Sequence, residues 1–411
     1  MEKEQEIGIP DVPIPPADGP KLGAIANLTP IYDRPSKKQG NQLGYLHAGA
    51  RVPRAKEAFS TRGCASGWYP IAPKGFVCAE GSATLDMDHP TLQAMAIQPD
   101  LKAVLPYTYA RSLKKTVVYE VDAEHDKHVR PVAELPSVSG LAVVGSWTAK
   151  KPDGEELRLA MMADGRFVDA ALLRAADPSE FSGVELSDEL QLPVGYIVKR
   201  GVRAWFLDEQ IVSKRERLDY HKRLELTGRF RSVRGVQFWA LSDGRWVRHK
   251  DITIIRKRSK YPVFATGDQK WVDVSVITGT ATLYEGRTPV FVTLVTVGRD
   301  RLGDPKNSDS TARGEFNVVG KHITATASDP KGFANNVDIF DTPWVLELDN
   351  GQLMHGAYWH DRFGIEHGPG NIQLSVADAK RVWQWATPTL PGNWHGQTAV
   401  AKNTTIINVR K

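Results

Sequence analysis

The longest apolar run in this chain of 411 residues is Pro289-Val-Phe-Val-Thr-Leu-Val-Thr-Val297. It falls far short of the roughly 20 residues that a membrane-spanning helix needs, so no transmembrane segment is expected. The run is strand-length and β-branched. Elsewhere 35 glycines and 26 prolines, spread through the chain, keep the apolar stretches short. That density of turn-formers cuts a chain into short strands and predicts a mainly β fold. The length is also too great for one core, and three or four domains of roughly 80–150 residues are expected.

Lys and Arg number 53 against 48 Asp and Glu, a net charge of +5 that does not demand a polyanionic partner. The densest basic run, Arg248 to Lys260, holds six Lys/Arg against one Asp, but no nucleic-acid motif accompanies it. It reads as a solvated linker edge, and nucleic acid is not expected as a partner. The opening Met1-Glu-Lys-Glu-Gln-Glu-Ile-Gly-Ile-Pro-Asp-Val-Pro-Ile-Pro-Pro16 lacks the apolar core of a signal peptide, so the sequence as written carries no export signal. Its Pro-rich, acidic character suits a leader or linker over residues 1–20. Cys64 and Cys78, with thirteen residues between them, favour a disulfide and an oxidising compartment; two reduced, buried cysteines are the alternative. With no Cys-x-x-Cys, no structural zinc is expected, and no cofactor either.

From about residue 21, short β-like runs alternate with turns: Thr29-Pro-Ile-Tyr-Asp-Arg-Pro35, Gly44 to Val52, Gly67-Trp-Tyr-Pro-Ile71 and Lys74-Gly-Phe-Val77. This resembles a bacterial SH3-like domain, a small barrel that closes on itself and leaves no edge. The pattern recurs. Ala163-Asp-Gly-Arg-Phe-Val168 and Ser242-Asp-Gly-Arg-Trp-Val247 share Asp-Gly-Arg-aromatic-Val, and Pro73-Lys-Gly-Phe-Val77 is a looser copy. An Asp-Gly turn entering an aromatic-Val strand is hairpin chemistry. The expected organisation is three SH3-like domains, at 21–105, 106–185 and 186–257, followed by a last domain at 258–411.

The last domain carries its own signature. Trp271-Val-Asp-Val-Ser-Val276 alternates as a strand, Thr282-Leu-Tyr-Glu-Gly286 turns into the apolar run, and Ser310-Thr-Ala-Arg-Gly-Glu-Phe316 follows. Next come Pro343-Trp-Val-Leu346 and His355-Gly-Ala-Tyr-Trp-His-Asp-Arg-Phe-Gly364, then a segment ending Leu374-Ser375. Together these resemble the L,D-transpeptidase catalytic domain, the family that cross-links peptidoglycan through a Cys thiolate. Beyond the site, Ser375 and Asp378 make a capping box for a helix whose apolar side is Val376, Ala379, Val382, Trp383 and Ala386, ended by Pro388 and Pro391.

The resemblance implies a base at His355, but the family's Ser-His-Gly-Cys-x-Asn is absent. Matching the His-Gly pair sets His367-Gly368 on the motif and Pro369 on the cysteine. Matching without a gap from Phe363-Gly364 to Leu374-Ser375 sets Asn371 on the cysteine and Pro369 on the second histidine; it keeps the helix in register and is preferred. Neither an amide nor a proline offers a nucleophile. The vestigial site is then His355, Asn371 and His367, with Gly356, Tyr358, Trp359, His360, Arg362 and Gly370 as candidate walls of a substrate groove. Tyr358 and Trp359 are equally readable as core, and His355 as a hydrogen-bonded structural residue. His360, Asp361, Glu366 and His367 are metal-ligand types, yet His360 and Asp361 belong to the parent pattern without a metal, and none is expected here.

The resemblance implies an inactive homologue of the bacterial cell envelope, extracytoplasmic, that binds peptidoglycan or its peptide stems or scaffolds wall enzymes, with other cell-wall proteins as further partners. Two alternatives stand: an active peptidoglycan-modifying enzyme with a non-cysteine mechanism, and a structural interaction protein acting through its SH3-like modules.

Overall fold

In the computed structural model the described residues are 10–122, 128–150, 154–207, 211–325, 341–398 and 403–411; the first nine residues of the expected leader lie outside them. The fold is mainly β, as expected.

The two Asp-Gly-Arg turns occupy equivalent places in two equivalent sheets. In each the glycine is left-handed, with φ 84° at both Gly165 and Gly244, a conformation that a β-carbon disfavours. The aspartate accepts from the arginine amide two residues on: 3.0 Å for Asp164 and Arg166, and 3.0 Å for Asp243 and Arg245. Around the first turn lie seven strands: Thr108–Ser112, Thr116–Val121, Val129–Leu135, Gly140–Lys150, Glu156–Met162, Phe167–Asp169 and Leu173–Ala175. Around the second lie Val194–Ile197, Arg203–Leu207, Ile211–Arg217, Arg223–Val233, Val236–Leu241, Trp246–Arg248 and Ile252–Ile255. Both sheets run third, second, sixth, fifth, fourth, first, seventh. Both place a 3-10 turn before the seventh strand, Ala170–Leu172 in one and His249–Asp251 in the other. The shared pentapeptide marks one topology used twice.

The first unit departs from the expected self-closed barrel. Lys21–Ala24 pairs with Arg51–Pro53 and Ala83–Thr84, while Thr29–Tyr32, Gln42–Leu46, Trp68–Pro70 and Phe76–Cys78 form a second set, joined to the first by the bridge Arg54↔Ile71. The edge strand Gln42–Leu46 is not free: it pairs with Gly396–Gln397 from the far end of the chain. Two glycines make this possible. A β-carbon on Gly44 would stand 2.2 Å from the Gly396 carbonyl, and one on Gly396 would stand 2.3 Å from the Tyr45 ring. The unit's polar edge is thus satisfied by another part of the chain rather than by closure.

Cys64 and Cys78 form a disulfide, buried with Trp68 and Phe76. Closing a loop of this length stabilises a fold by about 3 kcal/mol in the chain-entropy model. The Cys64→Ser/Cys78→Ser variant is therefore expected to unfold at a temperature several degrees lower, and reductant should shift the wild type but not the variant. Identical melting curves with and without reductant would refute this.

In the C-terminal region the sheet order is Val184–Glu185, Thr288–Leu294, Thr280–Glu285, Lys270–Ser275, Ile406–Arg410 and Gly314–Ala325. The last of these also pairs with Thr342–Leu348, which leads to Leu353–Gly356 and Ile372–Leu374. The helix Val376–Trp385 starts as expected, with Ser375 Oγ accepting from the Asp378 amide at 3.2 Å. Its buried side, Val376, Ala379, Val382 and Trp383, packs in the largest core cluster.

That cluster does not stop at the C-terminal region. It also contains Tyr109, Val144, Leu159 and Phe167 of the first seven-stranded sheet, so the two share one apolar core. The linker that follows is fastened as well. Val184–Glu185 adds to Thr288–Leu294 as an edge strand, and the Asp378 carboxylate accepts from the Gly183 amide at 2.9 Å, from Ser182 Oγ at 3.1 Å and from Thr293 Oγ1.

Candidate functional site

His355 lies on the strand Leu353–Gly356, which pairs antiparallel with Thr342–Leu348 and parallel with Ile372–Leu374, in register with Gln373. It is 1% exposed. Nδ1 sits 3.1 Å from the Gly356 carbonyl, an acceptor, so Nδ1 carries the proton. Nε2 is left as a buried lone pair with no partner among the described residues. Burial pushes the imidazole down to about 4, against the opposing pull of the Gly356 carbonyl. The ring is therefore neutral near pH 7. Gly356 itself is close-packed: a β-carbon there would meet Pro343 at 3.2 Å and Ala379 at 3.3 Å.

His355 is flanked by a ring four residues on, which is itself held by a strand from elsewhere in the chain. Its ring lies 5.8 Å from that of Trp359, which meets Tyr358 edge-on at 5.0 Å, and Tyr358 lies 4.7 Å from Tyr109. Tyr109, on the strand Thr108–Ser112, donates its hydroxyl to Thr324 Oγ1 at 3.0 Å. Arg111 on the same strand donates to the Trp359 carbonyl at 3.3 Å. Tyr358 is fully packed, with its hydroxyl on the Asp341 carbonyl at 3.2 Å. The neighbouring unit is thus seated on the Tyr358–Trp359 turn that flanks His355.

Asn371 is tied down locally. Its Oδ1 accepts from the Leu353 amide at 3.0 Å, beside Gln352 Nε2, which donates to the Gly370 carbonyl at 2.7 Å. The remaining polar residues form a second group. His360 Nε2 donates to Gln373 Oε1 at 2.7 Å, while its Nδ1 accepts from the Arg362 amide at 3.1 Å. Arg362 Nη1 donates to His367 Nδ1 at 3.3 Å, and the His360 and His367 rings stand 5.3 Å apart, edge to face. Burial holds His360 at about 4 despite the Gln373 bond. Burial and the charges of Arg362 and Arg299 lower His367. Asp361 pairs with Arg200, and Glu366 with Arg301 at 2.6 Å, so both carboxylates are engaged by guanidinium groups.

Two pockets flank this region. One of about 1100 Å³ is lined by Tyr358, Trp359 and His360 together with Arg111, Arg174 and Lys222 from the two seven-stranded units. The other, of about 600 Å³, is lined by Leu353, Glu347 and His322 with Tyr45 and His47 of the first unit. Tyr358, Trp359 and His360 therefore line the larger pocket, while Asn371, Gly370, Gly356 and Arg362 do not line either. Sequence reasoning missed Tyr109, Arg111 and Gln373. For Tyr109 and Arg111 no local signal exists, since Arg111 and Trp359 stand 248 residues apart; the register of Gln373 with His355 needed the parallel pairing.

His355, beside Gly356 at the end of a sheet strand, is thus followed by a Gly-rich turn that feeds a parallel strand and a capped helix. Residues 269–405, a third of the chain, match the family model of the YkuD L,D-transpeptidase catalytic domain. Among solved structures, the chain is similar to an L,D-transpeptidase from Xylanimonas cellulosilytica, with 16% identity over 37% of this chain and 65% of that one at a TM-score of 0.26. It is also similar to the C442S mutant of an Enterococcus faecium L,D-transpeptidase, with 15% identity over 35% of this chain and 50% of that one at a TM-score of 0.26. An L,D-transpeptidase from Mycobacterium smegmatis matches at 18% identity over 58% of this chain and 89% of that one, again at a TM-score of 0.26. The chain thus spans between half and two thirds of the first two structures. No curated protein matches it.

Proposed function

We propose that this protein is a cell-envelope L,D-transpeptidase homologue that binds peptidoglycan stems without cross-linking them, and that SH3-like modules at 106–185 and 186–257, with the differently closed β unit at 21–105, shape its binding surface. The observation that carries this reading is the state of residue 371: an asparagine amide, spent on the Leu353 N–H, stands where the resemblance puts the nucleophile. The buried disulfide suits an extracytoplasmic setting.

Binding outlives chemistry because it draws on other residues. The larger pocket offers Arg174 and Lys222, which make no ion pair among the described residues, next to the Trp359 and His360 wall. Peptide stems are rich in carboxylates, and guanidinium and ammonium groups bind these through charge-assisted hydrogen bonds. Purified protein is expected to co-sediment with sacculi, and Arg174→Glu/Lys222→Glu should weaken this about tenfold or more. Sacculus binding unaffected by that pair would move the site elsewhere; no sacculus binding at all would overturn the reading. A second reading, residual non-cysteine catalysis, draws on the free lone pair of His355 Nε2. Cross-linked muropeptide dimers that form with the wild type and vanish in His355→Ala would favour it.

A further inference from the structure

The unit at 186–257 holds 16 Lys/Arg against 9 Asp/Glu, a net +7 in a chain whose total is +5, so everything outside it sums to −2. Much of this charge stands on one hairpin. The strand Arg223–Val233 has every residue from 227 to 232 exposed, while its partner Val236–Leu241 carries buried Phe238 and Trp239. The hairpin tip is Arg234 and Gly235, both left-handed, with φ 50° and 77°. Arg229, Arg231 and Arg234 make no ion pair among the described residues. Between the first two sits Phe230, 59% exposed. Its ring lies 5.4 Å from Trp239, which also carries the guanidinium of Arg256 at 5.1 Å. Phe230 and Arg231, in register with Trp239 and Phe238, point to opposite faces of the hairpin. Among the described residues, 227–233 have a strand on one side only, since the Val194–Ile197 strand pairs no further than residue 225, so a surface that meets this free edge reaches side chains of both faces.

We propose that this hairpin seats the protein on an anionic phospholipid surface. Charge alone would suit any polyanion, but the pattern here is an open aromatic ring bracketed by unpaired arginines on a projecting strand. Guanidinium groups match phosphate oxygens bidentately, while a phenylalanine ring gains by leaving water for the acyl boundary. A polymer of phosphates in solution would engage the arginines and leave the ring wet. No helix among the described residues is long and apolar enough to cross a membrane. The inference does not depend on the peptidoglycan reading.

The test is co-sedimentation of the full chain with vesicles of mixed phosphatidylglycerol and phosphatidylcholine, against phosphatidylcholine alone. Binding to the anionic vesicles, weakening as salt rises, is the expected result. Arg229→Gln/Arg231→Gln/Arg234→Gln should lower it on the order of a hundredfold. Phe230→Ser, which leaves the charge unchanged, should lower it several-fold; near-UV circular dichroism matching wild type confirms that both variants are folded. Equal binding to both vesicle types, wild-type binding by Phe230→Ser, or binding to soluble polyphosphate without binding to vesicles would each overturn the proposal.

Discussion

Incubation with a carbapenem is expected to leave the mass of this protein unchanged, and purified protein is expected to form no muropeptide dimers. The family's mechanism passes through an acyl-thioester, which needs a thiolate. The chain has two cysteines, and both are in the disulfide. Residue 371 is an amide with no nucleophilic lone pair at neutral pH, so on the proposed reading a loss of many powers of ten in rate is expected. The informative variant is Asn371→Cys. It restores a sulfur at the head of the strand that runs beside His355, whose neutral imidazole has a free Nε2. A small thiol probe should therefore react faster with Asn371→Cys than with Pro369→Cys; the reverse order would show that the vestigial nucleophile stood at residue 369. Acylation by a bulky substrate should stay slow, since His355 is buried and the strand bearing Tyr109 and Arg111 packs on the Tyr358–Trp359 turn beside it. The variant also strands the Leu353 N–H, which costs about 1–3 kcal/mol and should appear as a lower melting temperature.

Stability is expected to fall between about pH 6.5 and pH 4. His47, His355 and His360 are each pushed down to about 4 by burial, with the charge of His322 adding to the effect at His47. An unfolded chain takes up protons at these histidines as pH falls through 6.5, while the native state refuses them until about 4. Their stabilisation is thus fully present above the unfolded value and is lost across that window, at up to about 3 kcal/mol each. Asp341 works the other way. Burial raises its carboxyl to about 7, so from about pH 7 down the native state holds a proton that the unfolded chain binds only near its ordinary value, and stability rises as pH falls. Asp341→Asn should therefore steepen the acid loss, and His355→Gln should flatten it. Urea unfolding at a series of pH values measures all three slopes; a wild-type free energy that is level across the window would defeat the argument.

Much of this organisation was legible in local chemistry. The repeated Asp-Gly-Arg turns were readable because a left-handed glycine and an Asx contact are set within four residues, and they marked two sheets of identical strand order. The start of the last helix was readable for the same reason: Ser375 reaches the Asp378 amide within one turn. The absence of a cysteine from the Gly-rich turn is a fact of sequence that no fold can alter.

The tertiary structure decided what these pieces do to one another. Asp378 looked like half of a capping box, yet its carboxylate serves Gly183, Ser182 and Thr293, because burial without those donors would cost more than a local cap returns. The first unit was expected to close on itself; instead its edge pairs with Gly396–Gln397, because two glycines let the backbones approach. His355 could be read as a base, but only the fold shows that its ring is buried and neutral, and that the Tyr358–Trp359 turn beside it is held by a strand some 250 residues away. Contacts of that range depend on which surfaces meet, and a linear pattern of residue types encodes each surface without encoding its partner.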